Sequence, residues 1–257
     1  MISAWKKKDP PPNRVKPVPI PVVRRILAVA TAANLPDLLA ISDMVTIAFF
    51  FLLRPGEYTA SPSDTTPFRL QDVQLFIGDR RLNPVTCTEA EAHASTFATL
   101  TFTDQKNGVR GEVIGLGRSG DPSLCPVRAL TRRVLHLRAH HADPTDPLAR
   151  YRLNDRWQKV TPTDITTSLR DAVTHLGPSL GFLPSDVSAR CLRAAGANAL
   201  LCAQVDPDII RLLGQWRSDE MLRYLHLQAA PIMSDFAPRM LQGGNFRLLP
   251  NQMVPSF

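Results

Sequence analysis

The sequence predicts a mixed α+β fold, mainly α-helical, with one small three-stranded antiparallel sheet. Three observations lead there. Residues 20–33, 37–53, 126–140 and 161–176 are long enough, and apolar over enough of their surface, to be helices of a packed domain. Residues 68–75, 95–102 and 109–116 read as strands, and the last two flank Asn107-Gly108, a dipeptide suited to the left-handed turn of a hairpin. The 23 prolines gather at the ends and in loops, which leaves the segments between them uninterrupted.

With 257 residues and 44% hydrophobic content, the chain can bury one good core. The expected division is a basic, proline-rich arm over 1–19, one domain over 20–242 and a tail over 243–257. A net charge of +7 suggests a polyanionic partner. Residues 1–25, however, hold seven basic residues against Asp9 alone, so the body must be judged by local constellations. Four cysteines without C-x-x-C pairing fit a reducing, intracellular setting. The N-terminus is too basic and proline-rich for a signal peptide. The most apolar run is short for a membrane span and carries Asp43, so no membrane association is expected.

In chain order, the arm favours extended polyproline geometry. It reads equally as a solvated tail or as a functional segment, either a DNA-backbone contact through Lys6, Lys7 and Lys8, with Arg24 and Arg25 on the first helix, or a hinge that once led to a second domain. That helix carries Pro21 in its first turn, where proline is tolerated. The second, apolar all round, should be central, and it stops at Leu53-Arg54-Pro55-Gly56-Glu57-Tyr58. Arg54 could simply satisfy that helix's C-terminus. Lys106 sits beside the hairpin turn. Helix 126–140 turns Leu130, Val134 and Leu137 inward, with Arg128, Arg132, Arg133 and Arg138 on a solvated face. His136, His140 and His141 have helical spacing but no neighbouring carboxylate or cysteine in the sequence, so no metal site is expected. Residues 144–159 read as a loop. Thr161 or Thr163 caps the next helix, with Pro162 inside its start.

The richest stretch follows. Arg190 and Arg193 fall in the first turns of one helix, spaced to share a face. Two cations there oppose the helix dipole unless an anion is bound. Ala194, Ala195 and Gly196 behind them allow another helix to approach closely. Residues 206–213 form a short helix closed by Gly214, and Ser218 caps a further helix bearing Tyr224, with His226 after it.

Arg190-Cys191-Leu192-Arg193, Leu213-Gly214-Gln215 and a tyrosine ten residues past the glycine resemble the C-terminal signature of the tyrosine recombinases, the phage-integrase family. Arg54-x-x-Glu57 after an apolar helix resembles that family's first arginine box. Arg190 stands where the first histidine of His-x-x-Arg is usual, Ala194 where a second histidine often follows, and Gln215 where histidine or tryptophan is expected, with Trp216 one residue later. The form looks like mobile-element relatives in eukaryotes that lack the first histidine.

The resemblance covers about residues 20–237 and implies the catalytic domain alone, with the family's fold. It implies Tyr224 as nucleophile, Arg54, Arg193 and Arg190 on the scissile phosphate, and Lys106 as proton donor. Gln215 or Trp216 would buttress the phosphate, with Glu57 and His226 in support. No metal or cofactor is implied, since the arginines supply the charge. The implied partners are double-stranded DNA and further copies of the chain assembled on it, with the tail docked on a neighbour; location would be nuclear in a eukaryote. Two other readings stand beside it: a DNA-binding remnant without catalysis, and a helical module whose arginines bind an acidic protein surface.

Overall fold

Helix α2 (Pro36–Phe50) is the axis of the protein. The computed structural model describes residues 16–60, 66–103, 111–177, 180–216 and 235–246. Every residue from Ala40 to Phe50 is buried, as an all-round apolar helix requires. The buried hydroxyls of Ser42 and Thr46 bond back to the carbonyls of Leu39 and Ser42, at 2.9 and 2.8 Å, which removes the cost of leaving them unpaired. Helix α1 (Ile20–Ala33) packs along α2 and ends in Asn34 at a left-handed φ of 50°. After α2 comes the single turn α3 (Pro55–Tyr58).

The sheet differs from the sequence expectation. It has four strands in the order β2-β1-β3-β4, all antiparallel: β1 (Val73–Ile77), β2 (Arg80–Leu82), β3 (Phe97–Phe102) and β4 (Glu112–Gly117). The added strand pairs with β1 through the two-residue turn Gly78-Asp79, where Gly78 takes a φ of 56°. A Gly at the first central position is a hairpin signal that the charged Asp79-Arg80-Arg81 run obscured. The first strand also begins later than expected, because residues 70–72 form a 3₁₀ turn. β3 and β4 pair antiparallel, as expected of these two strands, with Phe102 opposite Glu112; Asn107-Gly108 itself lies outside the described residues. Between β2 and β3 sits α4 (Glu89–Ala94), started by a capping box in which Thr88 and Glu91 satisfy each other's backbone N–H groups.

Helix α5 (Pro126–Ala139) corrects a second expectation. Arg133 is buried, donating from Nε to the Leu148 carbonyl at 3.0 Å and from Nη2 to the Arg150 carbonyl. Arg132 reaches the buried Asp43 of α2, with Nε 2.8 Å from Oδ1. A carboxylate inside an otherwise apolar helix needed partners, and α5 supplies them. The expected loop over 144–159 contains a hairpin, β5 (Arg150–Leu153) and β6 (Arg156–Lys159), turned by Asn154 and Asp155 at φ 47° and 57°. Two left-handed residues make the twist that a two-residue hairpin favours.

Helix α6 (Pro162–Leu176) is capped by Thr161 and Asp164. Helix α7 (Cys191–Cys202) crosses the end of α2, and a Cβ on Gly196 would overlap the Phe49 carbonyl and the Leu52 side chain. Helix α8 (Pro207–Leu213) is capped by Asp206. Helix α9 (Phe236–Gly243), which the sequence reading did not single out, packs on α7; a Cβ on Gly243 would overlap the Ala199 carbonyl. Among the described residues no helix is long and apolar enough to cross a membrane.

Candidate functional site

Three segments remote in sequence meet where α2 ends. The first is the turn out of α2. The helix stops at Phe50, three residues before the expected end, and Leu52 takes a left-handed φ of 54°. The Leu53 N–H then reaches back to the Ala48 carbonyl at 3.1 Å, which closes the helix in the manner of a Schellman motif. A buried leucine holds a position that glycine usually takes, and its carbonyl is available to Arg193. Arg54 follows. Its guanidinium does not go to the carbonyls of α2 but to Glu57, with Nη1 2.9 Å from Oε1. The other carboxylate oxygen accepts the Arg54 N–H at 2.6 Å, so one buried glutamate fixes both ends of the arginine.

The second segment is the start of α7. Arg190 precedes the helix as its N-cap instead of lying in its first turn. It is exposed, and among the described residues its guanidinium has no hydrogen bond or ion pair. Arg193 is half-buried on the first turn. Its Nη1 donates to the Leu52 carbonyl at 2.7 Å and its Nη2 to the Gly214 carbonyl, which ties α7 to the ends of α2 and α8.

The third segment is Gly214 to Trp216. Gly214 closes α8 as its C-cap, as the sequence reading has it. Gly214 has ordinary helical geometry and Gln215 takes the left-handed position at φ 53°. The Gln215 and Trp216 N–H groups donate to the Leu212 and Arg211 carbonyls, both at 3.0 Å, a full Schellman closure. A side chain at 214 would have to displace the Trp216 ring, since a Cβ there would overlap it. That ring folds back so that the Arg193 guanidinium lies 4.1 Å from its centroid, within cation–π range.

The electrostatics follow from this packing. Burial lowers the Arg193 pKa to about 10, the Arg54 charge pushes the same way, and Glu57 opposes both. Arg193 is therefore a half-buried cation whose strongest charged neighbour has its own sign, and an anion placed there would be favoured.

Comparison with family models, with curated proteins and with solved structures finds no match.

The remaining expected site residues are dispersed or lie elsewhere. Arg24 pairs with Asp121 at 2.6 Å, and Arg25 lies 3.5 Å from His175 Nδ1. Lys6, Lys7, Lys8, Lys106, Tyr224 and His226, with the cap Ser218 and most of the tail, are outside the described residues. A cavity of about 240 Å³ between α1, α2 and α6, lined by Ile26, Leu38, Ile41, Arg25 and His175, shares no residue with the arginine cluster. Sequence reading missed the Leu52 and Gly214 carbonyls, since a carbonyl carries no side-chain signature, and it missed Tyr58, discussed below.

Proposed function

We propose that this chain is the catalytic domain of a tyrosine-type DNA strand transferase, a recombinase or integrase that breaks and rejoins duplex DNA through a 3′-phosphotyrosyl intermediate. The observation that carries the reading is the meeting of Arg54 and Arg193 at the end of α2. One is held by Glu57 and the other is stacked on Trp216, and the single carboxylate offsets only part of the charge of the two arginines. Phosphoryl transfer needs such preorganised cations, because charge grows on the non-bridging oxygens in the transition state.

In this mechanism Tyr224 gives up its phenol proton to solvent and attacks the scissile phosphorus, the new O–P bond forms as the bond to the 5′ oxygen breaks, and Lys106 gives that oxygen a proton. Arg54, Arg193 and Arg190 hold the non-bridging oxygens. Trp216 acts through Arg193 by fixing its plane, and Gln215 flanks the phosphate. The phosphotyrosine keeps the energy of the ester, so a 5′ hydroxyl can reverse the step without a nucleotide cofactor.

A library of nicked duplexes that lose the cleaved fragment tests the reading. Detergent-resistant protein–DNA adducts are expected with the native chain and none with Tyr224→Phe. Adducts that persist in that variant would overturn it. A second reading, a duplex-binding remnant without strand transfer, draws on Arg190, Ala194 and Gln215 standing where the family carries proton-handling histidines. It is the outcome if salt-sensitive duplex binding occurs and no adduct forms.

A further inference from the structure

The backbone just before Arg190 lies between two helical segments, and side chains hold most of it. The 3₁₀ turn over 184–186 has ended and α7 has not begun. Yet the Val187 carbonyl accepts from Arg170 Nε at 3.3 Å, and the Ser188 N–H donates to Cys191 Sγ at 3.2 Å. The Ala189 peptide is gripped on both sides. Its N–H donates to Thr166 Oγ1 of α6 at 3.1 Å, and its carbonyl accepts from the Tyr58 hydroxyl of α3 at 2.9 Å.

Both grips are directional. The Thr166 hydroxyl has one proton and gives it to the Pro162 carbonyl at 2.7 Å, which leaves a lone pair fixed towards Ala189. Tyr58 is completely buried, and burial holds its phenol well above the ordinary range, so it stays a donor. The same short helix α3 thus fixes Arg54 through Glu57 and the main chain beside Arg190 through Tyr58. An exposed arginine that merely solvates a surface needs no such anchoring. A fixed backbone carrying a guanidinium with no partner among the described residues is what a preorganised anion ligand requires, because the ordering cost is met before the anion arrives.

We propose that Tyr58 and Thr166 are positioning residues that preset the main chain at Ala189 so that Arg190 receives a phosphodiester of duplex DNA. The proposal rests on reading this face as a DNA-phosphate site, and it does not require that strand transfer occurs.

The test measures duplex affinity of the full chain across a salt series, beside the adduct assay. Arg190→Ala is expected to weaken binding and to lower the slope of log affinity against log salt by about one. Tyr58→Phe and Thr166→Val should each weaken binding roughly three- to tenfold, the reach of one neutral hydrogen bond, and Thr166→Ser should restore it. In an Arg190→Ala background the Tyr58 and Thr166 changes should have no further effect on affinity. Thermal unfolding run in parallel separates a general loss of fold from loss of position. Undiminished losses in the Arg190→Ala background would overturn the proposal, as would native affinity in a folded Thr166→Val variant or no duplex binding by the native chain. Coupling to Arg190 without any adduct would support the clasp and refute strand transfer alone.

Discussion

Arg133 on α5 and Arg193 on α7 are both covered arginines that donate to two backbone carbonyls, and burial lowers each to a pKa of about 10. They differ in the charge each feels most. For Arg133 it is Asp43, of opposite sign, with Arg132 weaker; for Arg193 it is Arg54, of the same sign, with Glu57 weaker. The first is a structural cation with its counter-charge built into the core. The second feels its carboxylate, Glu57, less than it feels the neighbouring Arg54, and its stacking partner Trp216 brings no formal charge. A buried arginine therefore says little about ligands until the sign of its neighbours is known.

The largest effect expected from this comparison is on stability at the Arg133 side. Asp43→Ala leaves Arg132 and the buried Arg133 without their carboxylate and should cost about 3–5 kcal/mol in urea unfolding. A loss as small as that of an ordinary surface change would remove the distinction. Next comes chemistry at the other side. Arg193→Ala should slow single-turnover adduct formation by about 10²-fold or more, while Arg133→Met, wherever it folds, should leave the rate unchanged. A smaller effect is expected of Gly214→Ala, which pushes the Trp216 ring off Arg193. About 1 kcal/mol of stability should go, with a shift in tryptophan emission that Arg193→Ala reproduces.

A last effect is on pH dependence, and it belongs to the Arg133 side. Burial, then the charges of Arg133 and His140, lower His136 from 6.5 to about 4, and its Nε2 accepts the Arg152 N–H at 3.1 Å. The fold favours neutral imidazole, so the stability it contributes is present above pH 6.5 and is lost as pH falls towards 4. His136→Gln, which can still accept that hydrogen bond, should flatten this part of the acid unfolding profile. An unchanged slope over that window would show that His136 does not titrate with unfolding.

Much of the helical frame was legible because periodicity and caps are local. Residues 20–33 and 126–140, and the Thr161 cap of α6, needed only spacing and a hydroxyl at the right place. The hairpin at Asn154-Asp155 was missed because Arg150, Arg152, Arg156 and Lys159 make its strands look too polar to be buried, although Arg150 lies 4.5 Å over the Trp157 ring. The α4 capping box at Thr88 and Glu91 was readable but sits in a six-residue helix with little apolar face. At the candidate site the arginines were legible as residue types. What holds them was not: the Tyr58 hydroxyl and the Leu52 carbonyl meet partners more than a hundred positions away, and nothing local records such a contact.

The Ile20 N–H donates to the Gly244 carbonyl at 2.7 Å, and Gly244 lies so close to Ile20 that a Cβ would meet its side chain. The body is thus nearly a closed ring, open in sequence and shut in space. A circular permutant can be drawn from it, with a short glycine–serine bridge from Phe246 to Lys16 and new ends in the exposed turn between Asn154 and Asp155. Such a chain would place Arg193 ahead of Arg54 in synthesis yet bring both to the end of α2, which makes motif order a matter of ancestry and the arginine pair a property of the fold.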